Sequence, residues 1–168
     1  LILSFAMADG EESVQERCTE ASHRFSDLIS NEESHGESIE EMLDKCERFL
    51  AGAVAVEPGV ATVILSPKAA GIFAHESFGH KSEADFMLGD PAMLEDWKIG
   101  TEVGSPILSI VDSGQPSGSG YMPYDDEGQP TGETHLIENG ILKGRLHSAL
   151  TSAILNEAPT ANARAISF

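Results

Sequence analysis

The spacing of apolar positions divides the chain into segments of different period. Residues 1–8, LILSFAMA, read as a strand, and Asp9-Gly10 as the turn after it. The stretch from there to Phe25 fits two periods. Val14, Cys18 and Phe25 would share a helix face, whereas Val14, Glu16, Cys18 and Glu20 would line one side of a strand. A strand hairpin is the expectation. The polar run SDLISNEESHGES, residues 26–38, reads as an exposed connection. From Glu37 to Leu50, Ile39, Met42, Leu43, Cys46, Phe49 and Leu50 recur at helical intervals. Acidic residues crowd the first turns, Lys45 and Arg48 fall late as the helix dipole favours, and Gly52 is placed to end the helix.

The second half carries sharper punctuation. Pro58-Gly59 introduces a β-branched run, Val60 to Leu65, expected as a short strand. Ser66 followed by Pro67 is an N-cap with proline at the first helical position, and predicts a helix reaching about Met87. Beyond Gly89-Asp90-Pro91 the chain is turn-rich, with a strand expected at Ile107–Val111 and a flexible loop in DSGQPSGSG, residues 112–120. The clearest hairpin is HLIENGILKGRL, where Asn139-Gly140 can take the positive φ angles of a type I′ turn between Leu136-Ile137 and Ile141-Leu142. An edge of that hairpin is a candidate site for an extended peptide to add as a strand. SALTSAILNE then reads as a short helix. Together these elements predict an α+β fold, with mixed helices and short strands and a central helix packed on a sheet.

Composition narrows the function. There are 28 acidic against 10 basic residues, a formal charge of −18. Such a field repels phosphate backbones and makes nucleic acid and anionic membrane poor partners, and no apolar run has the length of a membrane span. Solubility or a salt-rich habitat explains the acidity most simply; attraction of basic peptides is the functional alternative. Cys18 and Cys46 build no disulfide framework, which fits a reducing, cytoplasmic setting, and Cys46 sits on the apolar stripe of its helix as a packed thiol would. The chain opens without an initiator methionine and ends without a closing signal, so a piece of a longer protein is expected.

Chemistry concentrates in GIFAHESFGHKSEADF, residues 71–86. His75 and His80 are five residues apart, about 140° on a regular helix at roughly 100° per residue, and so point to different sides. One zinc ion could not be gripped by both unless a π-bulge or a break intervenes, and Gly79 is the residue most able to permit one. Two nearby histidines on a helix more often have surface or capping roles. Against that stands Glu76, beside a would-be ligand, where a carboxylate can act as general base on metal-activated water. Glu83 and Asp85 could approach a metal, but read better as solvent-facing residues or supports for a ligand. His135 and His147 flank the hairpin and suit surface or packing roles; His23 and His35 lie in polar stretches. Asp125, Asp126, Glu127 and Gly128 form an acidic turn that turn chemistry alone explains.

SPKAAGIFAHESFGHKSEADF resembles the signature helix of the TldD/PmbA family, whose active branch carries His-Glu-x-x-x-His. YDDEG (124–128), LIENGILKG (136–144) and PTANARA (159–165) fit the same family in the same order. The resemblance implies a zinc-dependent peptidase acting on short or unfolded peptides, and it allows the acidic turn Asp125–Gly128 a role near the substrate channel without a catalytic step. It places His75 and His80 as zinc ligands and Glu76 as the catalytic base, with Zn2+ as cofactor. It further implies a larger two-domain protein, with residues 1–58 ending an N-terminal α/β region and 59–168 forming a metallopeptidase region incomplete at its C-terminal end. A homodimer, or a heterodimer with a PmbA/TldE-like subunit, is implied as well. The family's third zinc ligand is a downstream cysteine that these residues do not include, and neither Cys18 nor Cys46 matches its position. The chain alone is therefore expected to be inactive, and a non-catalytic scaffold or substrate-binding piece of a peptidase complex is the alternative.

Overall fold

A computed structural model describes residues 1–22, 24–30, 32–115 and 120–161. His23, the centre of the DSGQPSGSG loop and most of PTANARA lie outside them. The chain divides into two compact units, Leu1–Val63 and Ile64–Phe168. Helices and small antiparallel sheets occur in both, an α+β arrangement.

In the first unit, β1 (Ile2–Asp9) and β2 (Glu12–Thr19) pair antiparallel from Ile2↔Thr19 to Asp9↔Glu12. The strand reading of Val14, Glu16 and Cys18 is the one realised: these three are partly covered while their neighbours are exposed. A short helix α1 (Phe25–Ile29) precedes α2 (Glu32–Gly52). The expected exposed connection is thus largely helical, and α2 begins five residues before Glu37. Its polar sequence signalled exposure, but glutamate near a helix start is compatible with helix and favoured by the dipole. Met42 and Cys46 are buried on α2, and Lys45 reaches Glu16 on β2 at 2.7 Å. His35 lies 3.3 Å from Glu20.

The expected strand at Val60–Leu65 does not form. The run lies outside helix and strand, with Val60 at 107% and Ile64 at 100% relative exposure. β-Branched residues favour a pleated surface only where a partner strand supplies hydrogen bonds, and among the described residues none pairs here.

In the second unit, Ser66 accepts from the Ala69 amide and caps α3 (Pro67–Ala74). The helix expected to run on to Met87 changes form instead. His75–Gly79 is a π-turn, His80–Ser82 a 3₁₀ turn, Glu83 is extended, and Ala84–Met87 is a second 3₁₀ turn. After α4 (Pro91–Asp96), β3 (Ile110–Ser113), β4 (Glu133–Glu138) and β5 (Ile141–Leu142) make an antiparallel sheet in that order. β3 starts three residues later than its apolar run suggests, with a register shift between Ile110 and Val111. The β4–β5 turn has positive φ at Asn139 (51°) and Gly140 (81°). Glycine is required at the second position, because a Cβ there would also strike the Gly104 and Ser105 carbonyls. The outer edge of β5 is taken: Leu142 donates to Thr101 O at 2.9 Å, Gly100 donates to Leu142 O at 2.8 Å, and Glu102 bridges Ile141. That edge is closed to an added peptide strand. α5 (Ala149–Leu155) follows, capped by Ser148.

Met87, Trp97, Ile110, Leu136, Ile137, Leu142 and Leu146 form the core of this unit, with Ala74 and Phe78 of the motif segment packed against it. No described helix is long and apolar enough to cross a membrane.

Candidate metal centre

The five-residue histidine step is resolved by the π-turn. A π-turn holds one residue more than an α-turn, so its ends stack where those of a regular helix would diverge. The His80 amide donates to His75 O across it. The two imidazole rings consequently come together, centroids 4.2 Å apart and 69° between planes. Ligand-type atoms of His75, Glu76 and His80 all lie within 4.8 Å of one another. Glu76 oxygens stand 3.7 Å from His75 Nε2 and 4.0 Å from His80 Nε2.

Gly79 contributes differently from the sequence expectation. Its φ and ψ of −60° and −61° are ordinary right-handed values open to any residue, so glycine's backbone freedom is not what admits the distortion. Gly79 is instead a buried position at the end of the turn.

Long-range contacts hold the segment beyond His80 in place. Ala84 donates to Leu146 O at 3.0 Å, and Leu146 donates to Ser82 O at 2.8 Å, a parallel bridge that ties the motif to the chain leaving the hairpin. The Ser82 hydroxyl donates to Phe78 O at 2.8 Å and accepts from Trp97 Nε1 at 3.2 Å. Lys81 lies over the Trp97 ring, 4.4 Å from its centroid.

These ties turn Glu83 inward. His80 Nδ1–H donates to Glu83 Oε1 at 2.6 Å, and the Glu83 side chain is mostly covered. A carboxylate accepts only, so this bond places the proton on Nδ1 and leaves the Nε2 lone pair for a ligand. Carboxylate–histidine pairs of this kind orient metal-binding imidazoles. The two imidazoles are donors that zinc takes, and with Glu76 kept free as a base they fit a zinc site short of one protein ligand.

The other candidates fall elsewhere. Asp85 is exposed at the surface of the second 3₁₀ turn. His135 is exposed on β4, and His147 is buried, 3.1 Å from Glu157 Oε2. His35, Cys18 and Cys46 belong to the first unit. Asp125 Oδ1 accepts from the Glu127 and Gln129 amides at 2.9 and 2.8 Å, and Gly128 has φ of 79°. Glu127 Oε2 accepts from Ala149 N at 2.8 Å, at the start of α5. The acidic turn is therefore built by its own hydrogen bonds. Sequence reasoning missed the Arg145–Glu157–His147 cluster, whose partners are far apart in the chain.

A family model described as the PmbA/TldA metallopeptidase C-terminal domain matches residues 58–168. A metalloprotease of Synechocystis is 45% identical over 107 residues, covering 63% of this chain and 23% of the relative. A zinc metalloprotease TldD homolog of Saccharolobus solfataricus is 44% identical over 112 residues, covering 66% of this chain and 25% of the relative. The chain thus spans about a quarter of the length of the curated relatives it matches. A solved Bacteroides thetaiotaomicron structure, named for modulation of DNA gyrase, superposes with a TM-score of 0.72. It covers 96% of this chain and 36% of that one, and at 18% identity it shows a shared fold. With the family model spanning nearly two thirds of its residues, this chain belongs to the PmbA/TldA metallopeptidase family.

Proposed function

We propose that the chain contributes the metal-binding helix of a zinc-dependent peptidase that hydrolyses short or unfolded peptides. The observation that carries this reading is the convergence of His75, Glu76 and His80 through a π-turn. Membership of a metallopeptidase family supports it. His75 and His80 would hold the zinc, His80 through the Nε2 lone pair that its bond to Glu83 leaves available, with a third ligand from outside the described residues. Bound there, zinc would supply Lewis acidity, making a nearby water a stronger acid and a peptide carbonyl a better electrophile. Glu76 takes a proton from the attacking water and passes it to the leaving amine. Its carboxylate sits within 4.0 Å of both imidazoles, close enough to reach a water there, and is 65% exposed and so reachable by substrate.

The test is peptide cleavage by the full-length protein before and after chelation. Cleavage should disappear with the metal and return with about one equivalent of zinc; cleavage that survives thorough chelation would contradict the reading.

Glu83 acts as a positioning residue through His80. Glu83→Ala should weaken zinc binding by roughly 10–100-fold, the usual cost of losing such a partner. Glu83→Gln, which keeps an oxygen acceptor for Nδ1–H, should recover part of that loss. A competition titration with a zinc chelator measures both, and unchanged affinity in Glu83→Ala would remove Glu83 from the site.

A further inference from the structure

A buried relay of hydrogen bonds ends on the π-turn that carries the histidines. Trp97, 4% exposed, donates from Nε1 to the Ser82 hydroxyl at 3.2 Å, and the fully buried Ser82 donates in turn to Phe78 O at 2.8 Å. Chemistry fixes the direction of both bonds. An indole N–H only donates and a carbonyl only accepts, so the hydroxyl between them accepts from the first and gives its proton to the second. Both ends are anchored. The Trp97 ring belongs to the core, Arg145 donates to the Trp97 carbonyl at 2.6 Å, and Leu146 donates to Ser82 O at 2.8 Å. Phe78 lies inside the π-turn, between Glu76 and His80, and its ring packs on that core with its centroid 6.4 Å from that of Trp97.

We propose that Ser82 and Trp97 are positioning residues for the metal centre, selecting the π-turn over a regular helix by holding the Phe78 carbonyl. The proposal rests on the metal-centre reading and adds to it the contact that sets the geometry. A hydroxyl that bonds back to the carbonyl four residues earlier competes with the helical ladder and bends the helix. Here that bond falls where the π-turn gives way to the 3₁₀ turn His80–Ser82. In regular α-helical form the two histidines would stand about 140° apart and their rings would separate. Trp97 acts through Ser82: with the indole N–H on a hydroxyl lone pair, the hydroxyl proton is turned to Phe78 O.

The experiment uses the full-length protein and reads two quantities. One is zinc affinity, by competition with a chelator. The other, in metal-free protein, is hydrogen exchange at the His80 amide, which bonds to His75 O across the turn. Ser82→Ala should weaken zinc binding about tenfold, as should Trp97→Phe, which keeps an aromatic ring in the core; partners of metal ligands commonly contribute that much. Each should also speed His80 exchange about tenfold. Both variants break one relay, so the double variant should lose little more than Ser82→Ala alone. Ile137→Val, a core change away from the relay, should lower thermal stability while leaving both readings at wild-type values. Wild-type affinity and exchange in Ser82→Ala would overturn the proposal. Equal losses in Ile137→Val would overturn it too, by reducing Ser82 to a contributor to general stability. Faster His80 exchange in Ser82→Ala, in a protein that takes up no zinc, would sink the metal-centre reading and leave the relay standing.

Discussion

Glu76→Gln in the full-length protein should cut peptide cleavage by roughly 10²–10⁴-fold, the range that general acid–base catalysis supplies. The substitution is nearly isosteric, and the Glu76 side chain is 65% exposed, so folding has little reason to suffer. A glutamine can hydrogen-bond to the same water but cannot accept its proton. Zinc content should stay at the wild-type level, because His75 and His80 are the proposed ligands and both remain. That separation is what gives the result its meaning. Lost activity with retained zinc assigns Glu76 to proton transfer, whereas lost zinc would make it a ligand. Turnover assays paired with metal analysis on the same sample distinguish the outcomes, and full activity in the variant would remove Glu76 from the mechanism.

The second large effect concerns stability beneath the site. Arg145 is 3% exposed, and its guanidinium pairs with Glu157 while donating to Trp97 O at 2.6 Å. His147 Nε2 donates to the other Glu157 oxygen at 3.1 Å. Glu157→Ala would leave a buried cation with a single carbonyl partner. Breaking a buried pair costs about 3–5 kcal/mol, and the 31% exposure of Glu157 lets water offset part of it. A loss of about 3 kcal/mol is the expected result. Leu146 follows Arg145 directly, and its backbone pairs with Ser82 and Ala84. Local opening should therefore reach the histidine segment. Hydrogen exchange at the Ala84 and Leu146 amides should accelerate about a hundredfold, at ~1.4 kcal/mol per tenfold, in the regime where exchange follows the opening equilibrium. Glu157→Gln, which keeps an acceptor for the guanidinium, should lose less. Unchanged protection in Glu157→Ala would show that the cluster does not support the site.

The features legible in the sequence were local. Ser66-Pro67 marks a helix start and Asn139-Gly140 a turn because neighbouring residues largely decide those geometries, whereas the five-residue step from His75 to His80 calls for a distortion only if both rings are to meet at one metal. Features that depend on distant partners were not legible. Val60–Leu65 has strand composition but finds no partner strand among the described residues. The polar residues before Glu37 correctly signalled exposure, yet exposure does not exclude helix. Glu83 had two readings in the sequence, and only the bridge to Leu146 and the bond to His80 select between them. Nothing near Arg145 in sequence announces Glu157, because that pairing is made by the turn after α5. The candidate metal centre was thus legible in its residues, and its support was not.

Zinc titration of the full-length protein, alongside His75→Ala and His80→Ala, puts the metal centre itself to the test. One tightly bound zinc per chain is expected in the wild type, with loss of that tight site in each variant. A wild-type protein that takes up no zinc, or variants that both keep tight 1:1 binding, would contradict it.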